Sequence, residues 1–150
     1  MRCHGVALSL VLTLSLAQAC APKADHVPFF QNLSPRLLTA SPESRVGGEA
    51  GFHGAFHIQG NCVVVGLDSR TPIFDPWVRL SETGDAILDS RTGVRIGVGE
   101  RFSAGAAFLR IKGQGWSLSD IKKAIGVDVP KGCGTEVIVR LRDIRKVSSL

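Results

Sequence analysis

A chain of 150 residues is long enough for one domain with extensions. Hydrophobic residues make up 44% of it and charged residues 21%, a balance that excludes disorder for the chain as a whole. The formal net charge of +5 favours contact with anionic surfaces without specifying one. Seventeen glycines and seven prolines indicate the many turns of a β-rich fold.

Residues 1–19 have the pattern of a secretory signal peptide. Arg2 gives a charged start, and the apolar run from Val6 to Ala19 is too short to span a bilayer as a helix. Ala17-Gln18-Ala19 then supplies the small-x-small pattern of a cleavage site. The sequence therefore predicts an exported protein, periplasmic or anchored in the envelope, with secretion as the alternative.

Cleavage after Ala19 would leave Cys20 as the first residue. The segment from Leu16 to Cys20 resembles the lipobox of bacterial lipoproteins, in which the cysteine is acylated, although Ala17 and Gln18 depart from the usual residues at their positions. Two interpretations stay open: a lipid anchor on Cys20, which would be the chain's contact with a membrane, or ordinary cleavage with a free cysteine.

Residues 20–50 are predicted to form an extended tether, because prolines at this spacing are not tolerated in long helices or central strands. Four of the seven prolines lie here: Pro22, Pro28, Pro35 and Pro42. The apolar pairs Phe29-Phe30 and Leu37-Leu38 are unusual in a spacer. They could dock on the domain or on a partner, and we expect docking on the domain.

Two cysteines remain in the part predicted to fold. Cys3 leaves with the leader and Cys20 lies in the tail, so Cys62 and Cys133 most simply pair with each other in an oxidising compartment. A disulfide closing a loop of this length would stabilise the fold by about 4 kcal/mol on the chain-entropy model. A metal site is the weaker interpretation, because neither cysteine belongs to a C-x-x-C pair.

Residues 51–147 are predicted to form one small β-barrel domain, followed by a tail at 148–150. Pro72 and Pro76 should confine the second strand to an edge or a bulge, and Gly105 should mark a bulge or corner. The apolar runs predict strands within Ala55–Leu67, Ile73–Phe74 with Trp77–Leu80, Ala86–Leu88, Val94–Val98, Arg101–Ile111 and Thr135–Val147. The third and fourth runs should form a hairpin across Ser90–Gly93.

One helix is predicted before the last strand. Ser117 with Asp120 three residues later resembles a capping box, and Gly126 is a natural stop. The apolar spacing that places one face toward the core is carried by Leu118, Ile121 and Ile125.

Five or six short strands with a single helix indicate a mainly β fold, a small OB-like or related barrel. The helix departs from the usual OB order, in which it lies between the third and fourth strands. The layout of leader, proline-spaced tail and one-disulfide β-domain resembles small uncharacterised secreted bacterial proteins. This resemblance covers roughly Gly60 to Ile144 in the folded part, and it implies no particular activity.

One five-residue sequence occurs twice. The residues from Leu67 to Thr71 are identical to those from Leu88 to Thr92, twenty-one positions on. Aspartate and serine after an apolar strand favour turns, so we expect two similar turns on the same rim of the sheet. A shared ligand edge is the alternative.

His53 and His57 would lie on the same side of a strand, where they are candidate metal ligands. A metal site needs a third ligand, which Asp25 or His26 in the tail could supply. The alternative is that both histidines simply face solvent.

Arg140, Arg142 and Arg145 make the last strand basic, as a solvated cationic face or as an anion-binding site for lipid or polysaccharide. Nucleic acid is an unfavoured partner, because export removes the protein from it and most aromatic residues of the domain are expected in the core.

The sequence contains no recognisable catalytic set. Ser103 lacks the leading glycine of a nucleophile elbow, and the paired glycines at 97 and 99 lack the third glycine of a nucleotide loop. No cofactor is predicted. We expect an exported, non-enzymatic envelope protein, a binding or structural module for an envelope protein or glycan. The alternative is a metal-binding protein or enzyme with its site around His53 and His57.

Overall fold

The computed structural model describes residues 35–48 and 50–148. This part of the chain is mainly β with one short helix, which confirms the predicted fold class. A seven-stranded sheet curls into a half-barrel, and a separate sheet has three strands.

The large sheet runs in the order β1-β4-β10-β8-β2-β3, with β9 paired to β8, and the small sheet is β5-β6-β7. The elements are β1 Leu38–Thr39, β2 Ala50–Gln59, β3 Cys62–Val65, β4 Thr71–Phe74, β5 Val78–Leu80, β6 Ala86–Asp89, β7 Arg95–Gly97, β8 Arg101–Ile111, β9 Gln114–Gly115, α1 Leu118–Ile125 and β10 Ile138–Lys146. In the part of the chain that the structure describes, no helix is long and apolar enough to span a bilayer.

The two edges of the large sheet meet at Arg36. Its amide donates to the carbonyl of Asn61 at 2.9 Å, its carbonyl accepts from Val63 at 3.1 Å, and β1 follows two residues later on the opposite edge. Residues 35–48, which the sequence assigned to the tether, therefore belong to the fold. Leu37 and Leu38 pack against the core, as predicted, while Phe29-Phe30 lie outside the described residues.

The first predicted strand is in fact a hairpin. The chain reverses at Gly60 and Asn61, where Gly60 has a φ of 58°, and β3 returns antiparallel to the second half of β2. Glycine followed by asparagine is a known two-residue turn signal, and it lies here inside an apolar stretch that favoured one long strand.

The second predicted strand divides between the two sheets. β4 lies between β1 and β10 and is buried throughout, so the expectation of an edge strand is wrong. Proline has no amide hydrogen to donate to a neighbouring strand. Pro72 is tolerated because β1 pairs only with Ile73 and Phe74, so Pro72 lies beyond the end of that short pairing. Pro76 lies in the turn that carries the chain across to β5.

Two apolar cores stabilise the domain. The larger lies inside the curled sheet, where the rings of Phe52 and Phe102 pack 5.3 Å apart, and the smaller lies beneath α1. Ile121 and Ile125 are fully buried in the smaller core, and burial of such a side chain contributes about 1.5–3 kcal/mol. Leu118, predicted on the same face, is instead 40% exposed at the first turn of the helix.

The helix begins and ends where the sequence predicted. The Ser117 side chain accepts from the amide of Asp120 at 3.1 Å, and the Asp120 carboxylate accepts from the amide of Ser117 at 3.1 Å. Gly126 has a φ of 80°, the left-handed conformation that ends helices without strain at glycine. The hairpin of β6 and β7 across Ser90–Gly93 is also confirmed.

The disulfide between Cys62 and Cys133 is present, which confirms the predicted pair. Its Cα atoms lie 5.6 Å apart, and it joins the start of β3 to the loop before β10. Both cysteines are buried. The covalent bond therefore restrains β3 at one edge of the curled sheet and the loop that leads into β10.

A buried ion pair connects β4 to β10. Arg140 is 1% exposed, and its Nη2 donates to Oδ1 of Asp75 at 2.7 Å. Its Nη1 donates to the carbonyls of Ile73 at 3.1 Å and Leu141 at 2.9 Å. Burial lowers the pKa of Arg140, while the Asp75 carboxylate opposes that shift, and a guanidinium stays charged in proteins.

The pairing of β10 with β8 has two irregularities, one between Ile138 and Val139 and one in β10 opposite Gly105. The register with β8 shifts between Arg142 and Arg145, and Asp143 has a φ of 52° within this bulge. Gly105 itself pairs in register, so the predicted bulge is on the neighbouring strand. The amide of Asp143 donates to the second carboxylate oxygen of Asp75 at 3.1 Å, so the buried pair also holds the bulge.

Replacing Asp75 by asparagine should lower the free energy of unfolding by about 3 kcal/mol or more, because Arg140 would keep a buried charge without a counter-charge. Urea denaturation followed by circular dichroism measures this. The matched control is Asp128→Asn, which removes an exposed ion pair with Lys122 and should leave the urea midpoint nearly unchanged. An Asp75→Asn midpoint equal to that of the parent protein would contradict the role assigned to the pair.

Candidate functional site

Exposed aromatic and apolar side chains gather where β8, β9 and α1 meet. Phe108 is 40% exposed and Trp116 is 37% exposed. Two adjoining cavities, of about 430 and 560 Å³, share Gly115 in their lining. Exposed apolar groups placed together in this way mark interaction sites on soluble proteins. We call this region the Trp116 surface and define it by Phe108, Ile111, Gln114, Gly115, Trp116 and Lys123.

A tight hairpin supports one side of the Trp116 surface. β8 turns into β9 through Lys112 and Gly113, which have φ values of 51° and 75°. Positive φ at both positions of a two-residue loop gives the turn that matches the twist of paired strands. The hairpin therefore holds Ile111 and Gln114 directly opposite each other.

Gly115 brings the chain close to β8. Its φ is 99°, and a Cβ atom at this position would lie 2.5 Å from the carbonyl oxygen of Leu109. That carbonyl accepts from the amide of Trp116 at 2.8 Å, and the Arg110 guanidinium donates to the Trp116 carbonyl at 2.9 Å. Ser117 then caps α1, so the backbone of Trp116 is fixed on both sides while its ring is partly exposed.

Polar side chains lie beside the exposed rings. Gln114 and Lys123 line the two cavities, and neither side chain forms a hydrogen bond or ion pair with the part of the chain that the structure describes. Asp120 also lines the larger cavity, and its hydrogen bond from the Ser117 hydroxyl lowers its pKa. The guanidinium of Arg70 lies 5.2 Å from the centre of the Phe108 ring. The Trp116 surface thus combines exposed aromatic rings with side chains that can donate or accept hydrogen bonds.

The predicted histidines share a third cavity, apart from the two at the Trp116 surface. His53 and His57 are both exposed on one side of β2 and line a space of about 310 Å³ with Arg101 and Leu67. Asp25 and His26, named as third metal ligands, lie outside the described residues. Within residues 35–48 and 50–148, no group of three His, Cys, Asp or Glu side chains could hold a metal ion.

The three arginines predicted to share a basic face are separated by the structure. Arg140 lies in the interior with Asp75, so it is not part of a solvent-facing surface. Arg142 is half-buried and lies 3.7 Å from the same carboxylate, and Arg145 is exposed. The sequence shows a basic strand, but the ion pair with Asp75 holds Arg140 in the interior.

The repeated five-residue sequence forms two different turns. In the first copy the guanidinium of Arg70 donates to Asp68 at 2.8 Å beside a turn between β3 and β4. In the second copy the buried carboxylate of Asp89 accepts from the amides of Arg91 and Thr92 in the small sheet. The copies lie next to different sheets, so the prediction of one shared rim is wrong.

Sequence reasoning missed the Trp116 surface, because large aromatic residues were expected in the core. Phe74 and Phe102 are indeed fully buried, but Phe108 and Trp116 are not. One local signal could have indicated it. The glycine-containing pair Lys112-Gly113 predicts a turn, and the helix cap follows at Ser117, so Trp116 lies in the short connection between a hairpin and a helix. Cys20, the predicted lipidation site, lies outside the described residues.

Comparison with models of known protein families, with curated proteins and with solved structures finds no match for this chain.

Replacing Gly115 by alanine should disturb the Trp116 surface and lower the free energy of unfolding by about 1–3 kcal/mol, because the new Cβ would meet the Leu109 carbonyl at a strained φ. Chemical denaturation measures the loss, and tryptophan fluorescence reports the changed environment of Trp116. Gly132→Ala is the control, since a Cβ there meets nothing within 4 Å. Equal stability and equal fluorescence for the two variants would contradict the close approach described.

Proposed function

We propose that this chain is an exported, non-enzymatic binding module of the cell envelope that binds an envelope glycan at the Trp116 surface. The observation that carries the proposal is the partly exposed ring of Trp116, whose backbone amide and carbonyl are both hydrogen-bonded. Beside it lie the side chains of Gln114 and Lys123, which form no hydrogen bond within the described residues. A binding site that is formed before its ligand arrives loses little free energy in ordering.

The chemistry of the surface supports a glycan over a protein partner. Sugar rings present apolar faces that pack on aromatic rings, and their hydroxyl groups bond to amide and ammonium groups such as those of Gln114 and Lys123. The cores of protein interfaces are depleted of charged residues, whereas Lys112, Asp120 and Lys123 lie among the exposed rings here. Two adjoining cavities also suit a ligand made of successive units.

The assignment to the envelope rests on the sequence of residues 1–19 and on the disulfide. A secretory leader sends the chain out of the cytoplasm, and a buried disulfide persists in an oxidising compartment. Acylation of Cys20 would add a membrane anchor and keep the domain near the cell wall. Export without an anchor, into the periplasm or the medium, would also bring the domain into contact with envelope glycans.

Trp116→Ala should weaken binding to an envelope glycan about tenfold or more, because a central tryptophan contributes a large share of a binding free energy. The measurement is co-sedimentation of the exported chain with insoluble peptidoglycan, followed by titration with soluble glycan fragments monitored by tryptophan fluorescence. The expected result is saturable binding that Phe108→Ala also weakens.

Two controls distinguish this function from the alternative. The double variant His53→Gln with His57→Gln should bind the glycan like the parent protein, and so should Leu67→Ala, which removes an exposed apolar side chain outside the Trp116 surface. Absence of saturable binding to any glycan, or unchanged binding by Trp116→Ala, would refute the proposal. Loss of an activity or of metal binding only in the double histidine variant would favour an enzyme or metal-binding protein.

A further inference from the structure

Three side chains that can donate from nitrogen surround one small residue on the outer side of the large sheet. Alternation along β2 places His53 and His57 on the same side, with Ala55 between them. Arg101, the first residue of β8, pairs directly opposite Ala55 in the antiparallel register, so its side chain leaves the sheet on that same side. These residues and Leu67 line the cavity of about 310 Å³.

The positive charge of Arg101 is not balanced at this cavity. Within the described ranges 35–48 and 50–148, the side chains of Arg101, His53 and His57 form no hydrogen bond or ion pair. Among the residues that the structure describes, no carboxylate lines the cavity.

The neighbouring acidic side chains are already paired. Asp68, beside Gly66 at the edge of the cavity, binds Arg70 at 2.8 Å. Glu100, next to Arg101 in the chain, accepts from Lys146 at 2.9 Å and from the amide of Gly97 at 2.7 Å. The Arg101 guanidinium and the two imidazoles therefore keep donors that no described side chain accepts.

We propose that this cavity binds a small oxyanion, a carboxylate or phosphate group carried on a compact molecule. The planar fork of Arg101 matches two oxygen atoms of such a group, and each imidazole supplies an N–H donor beside it. Ala55 and the fully exposed Leu67 offer apolar contact for the rest of the molecule. The guanidinium repels a metal ion from the same space, so the structure assigns the histidines to anion binding.

This site is separate from the Trp116 surface and does not depend on the proposed glycan function. Arg101 begins β8, whereas Phe108 and Ile111 lie near its end. A variant that loses glycan binding at the Trp116 surface can therefore still be tested for anion binding at the Arg101 cavity, and the reverse also holds.

The test is a proton NMR titration of the histidine ring signals of the exported chain at constant pH 7 and constant ionic strength. Inorganic phosphate and butyrate are the two probes, in separate arms, and His53→Gln and His57→Gln assign the signals. We expect saturable shifts of both rings. Binding of phosphate alone identifies a phosphoryl ligand, binding of butyrate alone identifies a carboxylate, and binding of both supports the shared oxyanion chemistry.

Arg101→Gln should weaken binding about tenfold or more, because it removes the charged donors while keeping a polar side chain of similar length. The control is Arg79→Gln, which changes another exposed strand arginine outside the cavity and should bind like the parent protein. Backbone amide spectra verify that each variant is folded. Absence of saturable shifts with either anion, equal binding by Arg101→Gln, or saturable shifts with zinc alone would overturn the proposal.

Discussion

The buried pair of Arg140 and Asp75 joins the end of β4 to β10 and holds the β10 bulge in place. Removing both charges from water costs several kcal/mol, and the cost is offset only when the remaining donors and acceptors are bonded. Here Nη1 of the guanidinium also bonds two carbonyls, Nε has no partner among the described residues, and the carboxylate accepts from the amide of the β10 bulge. The bulge also places Asp143 within 2.6 Å of Arg91, and the hydrogen bond from Arg91 lowers the pKa of Asp143.

Features controlled by neighbouring residues could be predicted from the sequence, and those controlled by distant residues could not. The caps of α1 at Ser117 and Gly126, the hairpin in the small sheet and the extent of β8 follow from local signals. The burial of Arg140 depends on Asp75, which lies 65 residues away and carries no pattern that marks it as a partner. The exposure of Trp116 likewise depends on where β9 and α1 dock.

Both candidate sites are built on β8, the longest strand of the fold. The anion cavity lies at its start and the Trp116 surface at its end, and the ion pair of Asp68 with Arg70 lies between the cavity and the Phe108 ring. β8 pairs with β10 and β2 along most of its length, so the two sites share one well-supported scaffold. Such a scaffold suits recognition by preformed surfaces, because binding residues held on strands lose little freedom when a ligand arrives.

The stabilising role of the buried pair is tested most directly by native-state hydrogen exchange at the amide of Asp143. A bulge normally interrupts the ladder and opens easily, but this amide donates to the buried carboxylate of Asp75. We predict that the Asp143 amide exchanges only through global unfolding, with the same free energy as amides in the centre of β10. Fast exchange at Asp143, with those central amides still protected, would contradict the stabilising role of the buried pair.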